Sequence, residues 1–456
     1  MSGLTISSRL DRLLTTEQFT ASQLTRMFLT LMLDQFFIFA ISMLSSALVS
    51  SVGEAAIAAV SMVGTINGIV SLLFTSLATG GGIVVARAKG HGDVLTIRRA
   101  IGESTGLCTL VAICLASLLY VFAPVIVNTI YPDVEPLLVT YAIRYMRLVA
   151  ISFLPYSTFN AVFNIFRSLG DTRSSLLLTV VINVVHLILS LVFINVLHLG
   201  VAGSGYSYIL ARFVGAVLAM VWLLVIHNEY GIRLSHFFRF SKSVSAEIFQ
   251  MGTPLIFESL LMQGGMLLVQ IYLARLTTTD LAAHAVSNSI FNLYATTSGT
   301  LSTLTATISG QCFGAGKYAL VRRYCRNMIK LGRIALLLTV LILYPATPLF
   351  LKLYHATDTA IPIIRISLAI GAVAMPLIWC NAYLPAYCIR SCGDGSFASF
   401  VSILALFSGR CLFGYLLAIR CHLGVPGVWI GMVIEWGIRA MMLHIRFRGN
   451  RWLHVT

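Results

Sequence analysis

Twelve apolar stretches follow one another along this chain, each long enough to cross a bilayer, and no other feature restricts its fold as much. Crossing a hydrocarbon core of about 30 Å takes about 20 residues of helix. Inside lipid every backbone donor and acceptor must be satisfied within the protein, so spans of this length have to be helical. Read against their breakers, the runs fall at roughly 24–50, 56–86, 101–128, 137–166, 174–196 and 201–227, then at 246–275, 281–312, 326–351, 359–389, 396–419 and 425–445. The expected fold class is an all-α polytopic membrane protein, with twelve transmembrane helices in two six-helix repeats. The expected segments are a cytoplasmic lead-in at 1–23, an N-lobe at 24–227, a cytoplasmic linker at 228–245, a C-lobe at 246–446 and a cytoplasmic tail at 447–456.

Composition agrees. Hydrophobic residues make up 58% of the 456, charged residues only 10%, and mean hydropathy is +0.90, against about 25% charged in soluble domains. The net charge of +15 is not a nucleic-acid signal, because no soluble basic domain accompanies it. Basic residues in a membrane protein collect in cytoplasmic loops. The connections after even-numbered spans hold Arg87, Lys89, Arg98 and Arg99, then Arg167 and Arg173, then Arg233, Arg239 and Lys242, then Lys317, Arg322 and Arg323, then Arg390. The opposite connections hold Glu54, Asp133, Glu135, Asp280 and Asp358. Both termini are therefore expected on the cytoplasmic side. No short apolar core with a cleavage site precedes residue 24, so no cleaved signal peptide is expected. The nine cysteines lie mostly in apolar spans, without the spacing of a zinc site or a disulfide framework.

The two halves repeat each other. AKGHGDVLTIRRA from Ala88 lies on CFGAGKYALVRRYC from Cys312, with Gly90, Gly92 and Arg98 meeting Gly314, Gly316 and Arg322 at one constant offset. At a slightly shorter offset Arg144, Pro155 and Asn160 meet Arg365, Pro376 and Asn381. RSLGD from Arg167 then matches RSCGD from Arg390, and HLGVAG from His198 matches HLGVPG from His422. Each half holds an even number of spans, so the copies share one membrane orientation, an arrangement that places substrate sites near midplane between repeats.

Asp34 stands well inside the first span, where a charged residue is disfavoured by about 2.5–3.5 kcal/mol near the centre and so tends to face protein or a water-filled path. The offset of the glycine turns carries Asp34 onto Glu258, which gives each half one buried carboxylate in its first helix. Asn160 and Asn164 are four apart and share a helix face. Asn183 and His186 lie in the fifth span, and Asn381 is the nearest polar residue of the tenth. Each has a bland reading as well, an interhelical hydrogen bond in a packed bundle. Gln263 and Gln270 could share a cavity with Glu258, Glu435 and Arg439 are spaced to pair with each other, and Pro155 and Pro376 are expected to kink their spans. The glycine turns are not phosphate loops, since neither has the GxxxxGK[ST] pattern after a strand. No nucleophile and base are grouped as a hydrolase requires, so no enzyme activity is expected.

In order, duplication and topology, these motifs resemble the multidrug and toxic compound extrusion (MATE) transporters, over nearly the whole chain. The resemblance implies two six-helix lobes and export of organic cations in exchange for protons or sodium ions. Family members carry an acid in the first helix, which Asp34 matches, and some carry one in the seventh, which Glu258 matches. Two places depart from the family pattern. The fifth span has His186 and Ser190 where many members have Asn followed four residues later by Asp or Asn, and the tenth span has no acid. A sodium site near Asp34 or Glu258 would need several hard oxygen ligands, and these departures weaken it.

A carboxylate in an apolar cavity has its charged form disfavoured and so can take a proton from one side and release it on the other. If proton and cation compete for it, exchange follows. The expected ion-coupling or substrate cavity is Asp34, Glu258, Asn160, Asn164, Asn183, His186 and Asn381. No cofactor is expected beyond a coupling proton or sodium ion. The expected partners are membrane lipid and small organic cations, with no nucleic acid. The chain is expected as a monomer in a bacterial inner membrane. The alternatives are a flippase for a lipid-linked or polyanionic substrate, which would want an arginine-rich cavity where the mid-span charges here read as acidic, and a receptor or scaffold without transport.

Overall fold

The computed structural model describes residues 19–49, 54–130, 136–354 and 356–453. Most of the expected N-terminal lead-in, the loop acids Asp133 and Glu135, and residues 454–456 of the tail lie outside them.

Twelve main helices stand among the described residues, one for each of the apolar runs. They are α1 (Ala21–Val49), α2 (Glu54–His91), α3 (Val94–Ile130), α4 (Pro136–Ser168), α5 (Thr172–Ser190), α6 (Gly200–Val221), α7 (Lys242–Leu273), α8 (Thr278–Gly314), α9 (Tyr318–Leu343), α10 (Ala360–Ala374, resumed at Cys380–Ser391), α11 (Gly395–Ala405) and α12 (Gly424–Arg448). Wider π-type turns extend α5 through Leu191–Val196, α6 through Trp222–Ile226 and α11 through Leu406–Phe413. Nine helical segments among the described residues are long and apolar enough to cross a membrane. A tenth is added if α9 and the short helix Thr347–Leu353, bent by 56° from it, count as one span.

Packing divides the chain into two compact units, Leu33–Ile256 and a second that ends at Met32 and resumes at Phe257. The divisions fall inside α1 and α7. In the first unit α4 is the central element, packed on α2, α3 and α6. In the second, α8, α10 and α12 pack on one another.

The duplication extends to backbone conformation. Gly92 and Gly316 have φ of +78° and +69°, so the paired glycine turns after α2 and α8 both use the left-handed region that glycine enters freely. His198 and His422, paired by the second duplicated motif, adopt φ of 50° and 54° ahead of α6 and α12, although such values are uncommon for a side-chain-bearing residue. The two prolines behave differently. α4 runs unbroken through Pro155, whereas at Pro376 the α-helical pattern of α10 widens into a π turn at Met375–Trp379, where the missing N–H removes a rung.

α8 carries many hydroxyls and satisfies part of them locally, while the buried hydroxyls of Ser298 and Thr305 have no hydrogen-bond partner among the described residues. Thr300, Ser302, Thr303 and Thr307 donate to the carbonyls of Thr296, Ser298, Gly299 and Thr303, each four residues earlier, at 2.9–3.1 Å. Such back-bonding hides polar atoms from an apolar surround.

The connection at 228–245 is no loose strap. Arg98 Nε donates to Tyr230 O at 2.7 Å, and residues Leu234–Phe238 form a 3₁₀ turn seated on α3. A side chain at Gly102 or Gly106 would meet that turn, since a Cβ there would lie 2.7 Å from His236 O and 2.0 Å from Phe237 O.

Candidate functional site

Asp34 is completely buried. Its Oδ2 accepts a hydrogen bond from Arg167 Nη2, and the two form an ion pair. Its Oδ1 is also buried and has no hydrogen-bond partner among the described residues. Arg167 sits one residue before the end of α4, with its Cζ 4.0 Å from the centre of the Phe163 ring. The RSLGD motif explains why the arginine is there. Gly170 turns the chain at φ +79°, and Asp171 starts α5 by accepting from Ser174 N at 3.2 Å, so Arg167 closes one helix just before the next is capped. By sequence Arg167 counts as a loop charge that sets topology, but in the fold it is the counter-ion of the buried acid. Asp34 therefore lies against a guanidinium rather than in a purely apolar cavity.

The same relation holds in the second half. Arg390 Nη2 donates to Glu258 Oε2, and Ser399 Oγ donates to the same oxygen at 2.7 Å. Arg390 belongs to RSCGD, where Gly393 turns at φ +110°. Asp394 here receives Arg446 Nε at 2.7 Å and makes no side-chain cap.

The unit Leu33–Ile256, which contains Asp34, also holds a cavity of about 450 Å³. Asn160, Asn183 and His186 line it, together with Tyr156, Tyr208 and Arg212. Asp34 and Arg167 are not among its lining residues, whereas Ile38, one turn after Asp34, and Phe163, one turn before Arg167, are. The amide nitrogens of Asn160 and Asn183 donate to Tyr156 O at 3.3 Å and Thr179 O at 2.8 Å, which commits the donor end of each to its own helix. His186 packs edge-on to Tyr208, with ring centres 5.7 Å apart.

Four expected residues are placed elsewhere. Asn164 donates to Asn160 O at 2.9 Å and lies toward α2, where its Cβ would meet a side chain grown from Gly82, and it is not in the cavity wall. Asn381 donates to Leu377 O at 3.3 Å and takes no part in the contacts described for Glu258. Gln263 and Gln270 are exposed rather than gathered round Glu258.

The reading of the mid-span charges as acidic is corrected. Arg212 is buried on α6, with its Cζ 3.8 Å from the ring centres of both Tyr156 and Tyr208. It donates to Ser152 Oγ at 2.8 Å and to the Tyr208 hydroxyl. A single arginine disappears into the average hydropathy of a span, and only the tyrosine four residues before it, Tyr208, gave a local sign. Glu435 pairs with Arg439, as their spacing predicts, at 3.2 Å, but Arg410 Nε also reaches its other oxygen at 2.7 Å. α11 can approach this closely because residue 409 is glycine: a Cβ there would lie 2.4 Å from Glu435 Cα.

The described residues contain no group of three or more His, Cys, Asp or Glu side chains placed to hold a metal ion. The chemistry on offer is that of charge exchange: at equivalent positions in the two halves stand a fully buried carboxylate, Asp34, and a partly buried one, Glu258, each held by an arginine, and the unit of the first also holds an aromatic and amide-lined cavity.

The MatE family profile matches residues 31–192 and 254–416, one match in each half. A probable multidrug resistance protein NorM of Thermotoga maritima is 21% identical over 394 residues, covering 84% of this chain and 82% of its own. Another, from Bradyrhizobium diazoefficiens, is 26% identical over 415 residues, covering 88% and 87%. Among solved structures, the crystal structure of MATE in complex with MaL6 superposes with a TM-score of 0.87 at 20% identity over 98% of both chains, a likeness of fold. The chain belongs to the MatE family of multidrug efflux transporters.

Proposed function

We propose that this transporter is a secondary active antiporter, exporting organic, cationic amphipathic compounds in exchange for protons by alternating access. The state of Asp34 carries the reading. One of its oxygens is held by Arg167 and the other is buried without a hydrogen bond. A proton arriving at Oδ1 neutralises the carboxylate and releases Arg167, while a cationic substrate competes with Arg167 for the same charge. Both events weaken one ion pair, and they exclude each other, so proton entry drives cation release. The aromatic rings and amides of the cavity in the same unit suit planar, amphipathic guests of varied shape.

Protons are favoured over sodium because the contacts described for Asp34 and Glu258 are guanidinium and hydroxyl donors, whereas a sodium ion needs several oxygen acceptors at once. Glu258, with its second donor Ser399, serves as an auxiliary site. The moving parts are the six-helix halves 24–227 and 246–446, joined by 228–245. In this reading the chain is a monomer in a bacterial inner membrane with both termini in the cytoplasm, in keeping with its bacterial relatives and the loop charges. The test is ethidium efflux from membrane vesicles at fixed membrane potential, with pH and sodium gradients varied separately. Asp34→Asn is expected to abolish pH-driven efflux in a folded protein, and undiminished efflux overturns the proposal.

A second reading rests on Arg212. A guanidinium in the cavity wall suits an anionic or lipid-linked substrate, as a flippase would carry. Arg212→Gln separates the two. It leaves the KM for ethidium within about threefold if cations are the substrates, and it removes transport if the guanidinium binds the cargo.

A further inference from the structure

We propose that α3 and the connection after α6 form a binding site for one anionic phospholipid. A cavity of about 300 Å³ at the start of α3 is lined by Arg98, Arg99, His236 and Arg239, with Glu103 as its one acid. Glu103 is already engaged, accepting from Ser245 Oγ at 2.8 Å. Arg98 spends its Nε on Tyr230 O and has its terminal nitrogens left for an anion. Burial and the guanidiniums of Arg98, Arg239 and Arg233 hold His236 below the ordinary imidazole range, which fits a concentration of positive charge.

Directly adjoining is an apolar crevice of about 210 Å³, walled by Leu110, Ile113, Phe237 and Phe238. Phe240 lines both spaces and joins them. The crevice opens outward, since Leu110, Ile113 and Phe238 are 49%, 48% and 75% exposed. Distance along α3 fits the occupant. At 1.5 Å per residue, Ile113 lies about 22 Å farther along the helix than Arg98. One leaflet with its headgroups is about 20–22 Å deep, half of the whole bilayer. A soluble phosphate ester would use only the basic end, and a zwitterionic lipid would bring a second cation to three arginines. The glycines that seat the 3₁₀ turn on α3 hold Phe237 and Phe238 beside the crevice.

The test is native mass spectrometry and thermal unfolding of the delipidated full-length protein, with added phosphatidylglycerol, phosphatidylcholine or inorganic phosphate. Phosphatidylglycerol is expected to be retained and to raise the unfolding temperature, with the other two having little effect. Arg99 and Arg239 are exposed, so Arg99→Gln with Arg239→Gln should fold, and it is expected to weaken phosphatidylglycerol binding about thirty-fold. Arg99→Gln alone is expected to weaken it about fivefold, and Phe238→Ser to weaken it with phosphate contacts intact. Equal phosphatidylglycerol affinity in wild type and the double variant overturns the proposal. So does equal retention of phosphatidylcholine, or equal protection by inorganic phosphate.

Discussion

Arg167 is the counter-ion of Asp34, although 132 residues of chain stand between them, and the relation recurs between Arg390 and Glu258 in the second half. In each copy the acid comes from the first helix, and the arginine comes from the end of the fourth, just before a glycine turn. The two sites differ in one respect. Glu258 receives a second hydrogen bond, from Ser399, while Asp34 keeps a buried oxygen without one.

Removing one partner of a buried pair leaves the other charge uncompensated, which costs about 3–5 kcal/mol. Arg167→Gln is therefore expected to destabilise by about that much, and adding Asp34→Asn should return most of it. Thermal unfolding of the two single variants and the double variant in detergent gives the coupling. Purely additive effects would mean the pair is not an energetic unit.

Glu258→Gln retains an oxygen that Ser399 and Arg390 can still reach but leaves the Arg390 charge uncompensated, so its expected loss is about 1.5–3 kcal/mol for the charged hydrogen bond and up to about 5 kcal/mol if Arg390 finds no other partner. It should slow pH-driven efflux but not abolish it, in contrast to Asp34→Asn. Equal loss in the two variants, measured in vesicles, contradicts the auxiliary role given to Glu258.

Two glycines in neighbouring helices should respond oppositely to alanine. At Gly409 the new methyl meets Glu435 backbone at 2.4 Å, which forces α11 and α12 apart and should destabilise by about 1–3 kcal/mol or more. At Gly437, on α12, nothing lies within 4 Å, and alanine is expected to stabilise by about 0.5–1 kcal/mol. Unfolding temperatures that move in the same direction contradict this packing.

Asp93 precedes α3, and the Thr96 hydroxyl followed by the Leu95 N–H holds its carboxyl below the ordinary range. A lowered folded value means that the stabilisation is complete above the unfolded value of 3.8 and disappears as the pH falls through the folded one. Asn can cap the helix without titrating. The difference in unfolding temperature between wild type and Asp93→Asn should thus be constant above about pH 5 and change below pH 4. A flat difference down to pH 2.5 contradicts it.

Much of this protein is written locally. Lipid forbids unpaired backbone, so the length of each apolar run determined a helix, and the twelve runs have their counterparts from α1 to α12. The duplicated motifs also located the turns, because a left-handed residue recurs where Gly92 and Gly316, and His198 and His422, align. They made Asp34 and Glu258 equivalents before any contact was known. Asn160, Asn183 and His186 were recognisable as polar residues in apolar helices, and they do line one cavity.

Only the tertiary structure decided what those residues touch. Arg167 and Arg390 carry the same charge whether they anchor a loop or neutralise an acid, and helix packing chose the second. Asn164 has the same chemistry as Asn160, four residues away, yet Asn160 lines the cavity and Asn164 does not. Arg212 stands in the sixth apolar run, but its partners Tyr156 and Ser152 come from another helix and are not legible beside it. Hydropathy and spacing report the environment a segment needs, but pairing between distant segments depends on the packing of whole helices, which no local pattern encodes.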